Sequence, residues 1–121
     1  MSKIKRYPPT TPDNINPYEA MDFIRDNADE LGRLKGLVYG LTEMRKSVKA
    51  ELMLSAIDCK TESAKESYAY AHQKMKDHIK KTEDAIAEFT TLQTLMTAAE
   101  AKLEAWRSLE ATARNEIRLS Q

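Results

Sequence analysis

Apolar positions recur along most of this chain with a helical period. From residue 17, Met21, Ile24, Ala28, Leu31, Leu34, Val38, Leu41, Val48 and Leu52 fall three, four or seven residues apart, which lays one apolar stripe along about 40 residues. The stretch DCKTES at 58 to 63 interrupts the period. Ser63 with Glu66 then reads as a capping box, so a second helix begins there. In it Met75, Thr82, Phe89, Met96, Leu103, Glu110 and Ile117 share one heptad position. His78, Ala85, Leu92, Ala99, Trp106 and Ala113 share another. A heptad sustained this long predicts coiled-coil packing. The pattern predicts an all-α fold: a long antiparallel helical hairpin of helices about 17 to 58 and 63 to 119, with the 45 to 49 region beside about 72 to 76.

The first helix has a chemical start. Asn16, Pro17 and Glu19 supply an N-cap, a proline at the first helical position and an acid two residues later, a variant of the capping box. Residues 1 to 16, MSKIKRYPPTTPDNIN, hold three of the four prolines and no apolar period. They read as a flexible basic arm carrying Lys3, Lys5 and Arg6. Residues 17 to 121 then form a single hairpin domain. A two-helix unit of this length, with Ile79 and Ile86 on a further apolar line, buries little per residue and is expected to form a homo-oligomer. Phe89, Met96, Leu103, Trp106, Leu109 and Ile117 are its candidate association residues.

The three glycines stand at every fourth position of LGRLKGLVYG. Gly32, Gly36 and Gly40 lie within a sector of about 80° at 100° per residue, roughly opposite the stripe of Leu31, Leu34, Val38 and Leu41. Each costs roughly 1 kcal/mol against alanine inside a helix. Two readings stand side by side: an outer face that lets another backbone approach closely, or a kink or break between shorter helices.

Composition narrows the function classes. The 121 residues contain 19 basic and 19 acidic side chains, 31% charged residues overall and one cysteine, Cys59. No apolar run approaches the roughly 20 residues of a spanning helix and no signal-peptide core is present, so the expected setting is the cytoplasm without membrane contact. One cysteine excludes an internal disulfide framework, and with only His72 and His78 a zinc site is not expected. There is no phosphate-binding glycine loop, nucleophile elbow or HExxH pair. Glu83 with Asp84, and Glu100 with Glu104, lack a Glu-x-x-His partner and read as solvated faces. The expectation is a protein that is not an enzyme and uses neither a metal nor a cofactor.

Local charge is more telling than net charge. Between Arg45 and Lys81 there are nine bases and five acids. Folding the hairpin gathers Lys46, Lys49, Lys74 and Lys76 near Arg45, with Tyr68 and Tyr70 nearby as stacking surfaces for unpaired bases. Repetition of this basic end in an oligomer would raise affinity for a phosphate backbone by multivalency. The competing reading is a solvated helix face on a coiled-coil module that binds protein.

Three segments carry a family resemblance: SVKAELMLSAID, SYAYAHQKMKD and LEAWRSLEATARNEIR, spread between Met44 and Arg118. Together they resemble the UvsY-like recombination mediators of tailed phages, in which a Lys-Ala-x-Leu segment precedes tyrosines, a short break and a long C-terminal helix. The resemblance implies a small α-helical hexamer or heptamer that binds single-stranded DNA and helps a recombinase displace the single-strand-binding protein. It would act in the host cytoplasm. The family's basic pair falls on Lys49 and Glu51. The acid departs from the family pattern, and Lys46 or Arg45, one turn earlier, would substitute for the missing base. Trp106 and Leu109 would carry subunit association.

Overall fold

The structure is a computed structural model that describes residues 15–121. The basic arm expected over 1 to 16, with Lys3, Lys5 and Arg6, lies outside the described residues except for Ile15 and Asn16. The described chain is helical throughout: α1 (Pro17–Leu54), α2 (Glu62–Ala71) and α3 (Gln73–Ser120). The helices are 38, 10 and 48 residues long, and no strand occurs among the described residues.

Each helix end has a local cause. The side-chain oxygen of Asn16 accepts from the amides of Tyr18 at 2.9 Å and Glu19 at 3.3 Å, which satisfies two of the donors that the first turn of α1 leaves open. α1 ends at Leu54, short of residue 58. The chain then turns through short backbone bonds, Ala56 to the Met53 carbonyl and Cys59 to the Ala56 carbonyl, and tucks Ala56 inside. Thr61, not Ser63, caps α2: its hydroxyl accepts from the Ala64 amide at 3.0 Å.

The expected second helix is two helices. At His72 the backbone is extended, with φ −69° and ψ 141°. The His72 amide donates back to the carbonyls of Tyr68 and Ala69, its own carbonyl accepts from Met75 and Lys76, and its ring Nδ1 accepts from the Lys74 amide at 3.1 Å. One residue therefore closes α2 and caps α3, supplying partners to both helix ends.

The described chain divides into two compact units. One joins the described residues up to Leu31 with Thr91–Gln121; the other is Gly32–Thr90. In the first, Ala20, Phe23 and Asn27 of α1 are buried, as are Leu92, Met96 and Ala99 of α3. Here the expected stripe is out of phase, because Met21 and Ala28 are exposed while Phe23 and Asn27 point inward. The buried Asn27 amide donates to the Phe23 carbonyl at 2.9 Å, so its burial leaves no unsatisfied donor.

In the second unit Leu52, Ala69 and Met75 form a core cluster, packed by Val48, Met53 and Ile79. The His78 ring donates from Nε2 to the Leu41 carbonyl at 2.7 Å, a second bond for an oxygen inside a helix. Leu34 and Met75 are fully buried, each stabilising the fold by about 1.5 to 3 kcal/mol. The expected neighbours of residues 45 to 49 are met in part, since Val48 packs on the cluster that contains Met75, and α2 supplies the others. Arg45 and Lys49 meet Tyr70 and Glu66 of α2, while Val48 and Ile79 pack against the cluster of Leu52, Ala69 and Met75.

The glycine segment is continuous helix, which removes the reading of a break. None of Gly32, Gly36 and Gly40 has a positive φ, and a Cβ added at any of them would meet nothing within 4 Å. No part of the described chain uses that face for close approach.

Candidate functional site

The basic positions read from the sequence lie in the Gly32–Thr90 unit, carried by the second half of α1, by α2 and by the first turns of α3. At 3.6 residues per turn Arg45 and Lys49 share one face of α1, and that face meets α2. Lys49 Nζ is 3.4 Å from Glu66 Oε1. It also lies 5.4 Å from the centroid of the Tyr70 ring, and the Arg45 guanidinium lies 5.6 Å from the same ring. Both are cation–π distances. The hydrogen bond and charge of Glu66, then the Tyr70 hydroxyl, hold the Lys49 pKa above the ordinary lysine value. Lys49 therefore carries its positive charge throughout the physiological range.

The remaining residues divide into those the fold has engaged and those it has left open. Lys46 pairs with Glu43 on its own helix at 3.3 Å and is otherwise solvent-exposed. Tyr70 has 40% of its surface exposed, with its ring beside two cations. Tyr68, 39% exposed, stands 5.9 Å from the His72 ring in a tilted arrangement. Neither tyrosine is a bare platform; each offers about two-fifths of its surface. Lys74 and Lys76, by contrast, have no acidic partner within ion-pair distance among the described residues, and the same holds for Lys60 and Lys81.

Beside this cluster runs an open groove of about 350 Å³, lined by Val48, Glu51, Leu52 and Ser55 of the α1 side and Lys74, Asp77, His78 and Lys81 of α3. Reading the sequence did not single out the groove. Its residues follow i, i+3, i+4, i+7 on both sides, a spacing that marks one helix face, but which two faces meet depends on the break at His72. Among the described residues no cluster of histidine, cysteine and acids is arranged to hold a metal ion. Cys59 is a half-buried free thiol.

No family model, curated protein or solved structure matches this chain. The site is thus read from its own chemistry: fixed positive charge, two half-exposed tyrosines and a groove with charged walls. Among the described residues no helix is long and apolar enough to cross a membrane.

The candidate association residues lie on α3, and their exposure changes along it. Met96 is buried within its own unit and Phe89, Leu103 and Trp106 are half-buried, whereas Leu109 and Ile117 are exposed, at 52% and 60%. The heptad positions are therefore buried or half-buried from Met75 to Trp106, and exposed from Glu110 onward.

Proposed function

We propose that this protein binds single-stranded DNA through the basic face of the Gly32–Thr90 unit and acts as a recombination mediator of UvsY-like type, assisting a recombinase to take the strand from a single-strand-binding protein. The observation that carries the reading is the gathering of Arg45, Lys49 and Tyr70 across α1 and α2, with Lys74 and Lys81 on the wall of the groove that Val48 and Leu52 share. Cations beside aromatic rings, next to lysines without acidic partners, suit a strand whose phosphates need countercharge and whose bases are free to stack. The mechanism is non-covalent, without cofactor or metal. Lys46 and Lys76 extend the phosphate contacts. Homo-oligomerisation in the cytoplasm of the host, with coiled-coil packing through Leu109 and Ile117, belongs to this reading because it repeats a modest patch on one strand.

The test is fluorescence anisotropy with labelled oligo-dT and duplex DNA across a salt series. Preference for the single strand and weakening between about 50 and 200 mM salt are expected, with a logarithmic slope of about 0.7 per phosphate contact. Binding that does not respond to salt would reject the electrostatic mechanism. Exposed Leu54 and Ile57 beside the α1–α2 turn favour a second reading, a protein-interaction module. An Arg45→Gln, Lys46→Gln, Lys49→Gln variant separates the two: it abolishes binding to DNA in the first case and leaves a protein partner bound in the second.

A further inference from the structure

The groove between α1 and α3 combines charges of both signs that do not neutralise one another. Lys74 and Lys81 stand seven residues apart on α3, about 10 Å along its axis, and neither closes an ion pair with Glu51 or Asp77, although all four line the same groove. The Glu51 carboxylate takes part in no hydrogen bond or ion pair among the described residues; only its backbone carbonyl is used, by the Ser55 hydroxyl at 3.1 Å and the Ser55 amide at 3.2 Å. Asp77 accepts from the Gln73 side chain at 2.7 Å through one oxygen and keeps the other. Between them lie Leu52 and His78, both buried, and half-buried Val48. Charged groups that do not pair with one another, beside an apolar floor, suit a ligand that brings anionic groups, a flat ring and a hydrogen-bond donor together. The volume, about 350 Å³, lies at the small end of the range for ligand sites.

We propose that this groove receives one base of the bound single strand, that Lys74 and Lys81 contact the phosphates on either side of it, and that Glu51 selects bases bearing an exocyclic amino group. The inference rests on the DNA-binding reading above and adds a base preference to it. A carboxylate accepts hydrogen bonds and cannot donate them. Cytosine offers its N4 amino group to such an acceptor, whereas thymine presents O4, a second acceptor. The groove therefore favours cytosine over thymine, and Glu51 is useful on a DNA-binding face because its negative charge reads a base edge.

The experiment compares oligo-dC with oligo-dT of equal length by anisotropy at slightly alkaline pH, using the full chain, its Glu51→Gln variant and a Glu62→Gln control. Glu51 and Glu62 are both exposed, and far-UV circular dichroism verifies that each variant folds. The expected result is about five-fold or more tighter binding of oligo-dC by the full chain, the low end of what a base-edge contact supplies. The preference falls to within about two-fold in Glu51→Gln, and Glu62→Gln keeps it. Equal binding of both oligonucleotides by the full chain, or a preference that survives Glu51→Gln, overturns the groove assignment while leaving the DNA-binding reading in place. Binding of neither oligonucleotide overturns both.

Discussion

Replacing all three glycines of α1 with alanine should make the protein more stable. Gly32, Gly36 and Gly40 lie inside a continuous helix, none has a positive φ, and an added Cβ meets open space at every one. Among the described residues nothing therefore offsets the helix penalty of glycine, about 0.8 to 1.0 kcal/mol at each position. The positions share no partner, so the gains add, and Gly32→Ala, Gly36→Ala, Gly40→Ala is worth about 2.5 to 3 kcal/mol. For a chain of this size 1 kcal/mol moves Tm by roughly 3 to 5 °C, which puts the triple variant about 8 to 15 °C above the parent.

Thermal unfolding followed by far-UV circular dichroism, repeated over a range of protein concentration, reads the shift. A Tm that falls or stays put would refute the reasoning, because it would mean that the glycine face is occupied in the folded protein. Light scattering on the same samples gives the companion result. If a neighbouring copy approaches that face, the variant loses mass at low protein concentration, and the concentration dependence of its Tm weakens with it.

Three further predictions separate helix capping and association from the core. His72→Ala removes the ring acceptor for the Lys74 amide and should cost about 1 kcal/mol, largely recovered in His72→Asn, whose side-chain oxygen caps in the same way; chemical denaturation curves decide it, and equal stability of all three proteins would contradict the capping role. The double variant Leu109→Asp, Ile117→Asp should lower the oligomer mass in light scattering and leave helix content unchanged, whereas Leu92→Ala, at a fully buried position, should cost about 2 to 5 kcal/mol; loss of helix in the aspartate variant would show that these residues belong to the fold instead.

The helical class and the buried seam from Met75 to Ala99 were legible because apolar residues there keep one period through several turns. The break at His72 was not, since QKMKD after it contains no glycine or proline and the capping group is a histidine ring, which a propensity argument does not anticipate. The start of α1 misled for a different reason. Met21 is large and apolar yet exposed, while the inward position is taken by Asn27, a polar residue made tolerable by a bond to its own helix one turn back. The choice of Ser63 as cap followed a capping-box spacing that the sequence does contain. The fold uses Thr61 instead and turns Glu66 towards Lys49. Of the candidate site, the residue types were visible, but the pairing was not. Lys49 with Glu66, and Arg45 with Tyr70, depend on where α2 ends, and so does the groove that brings Glu51 opposite Lys74 and Lys81.

A charge count treats every lysine alike, and the structure separates them by what they have left to give. Lys46 and Lys80 are held by acids on their own helices, and Lys49 by Glu66, so a phosphate approaching these three must compete with a carboxylate already in place. Such exposed pairs are weak and screened by salt, so a polyanion can displace them. Lys74, Lys76 and Lys81 have no such pair to break, and they follow one another along the start of α3. Under the proposed binding, a strand that engages Lys74 and Lys81 first would gain countercharge without breaking an ion pair, and the paired lysines would add to it as further phosphates arrive. A net charge of zero is therefore compatible with polyanion binding, because some acids are taken up by lysines of their own helices while Lys74, Lys76 and Lys81 have no acidic partner among the described residues.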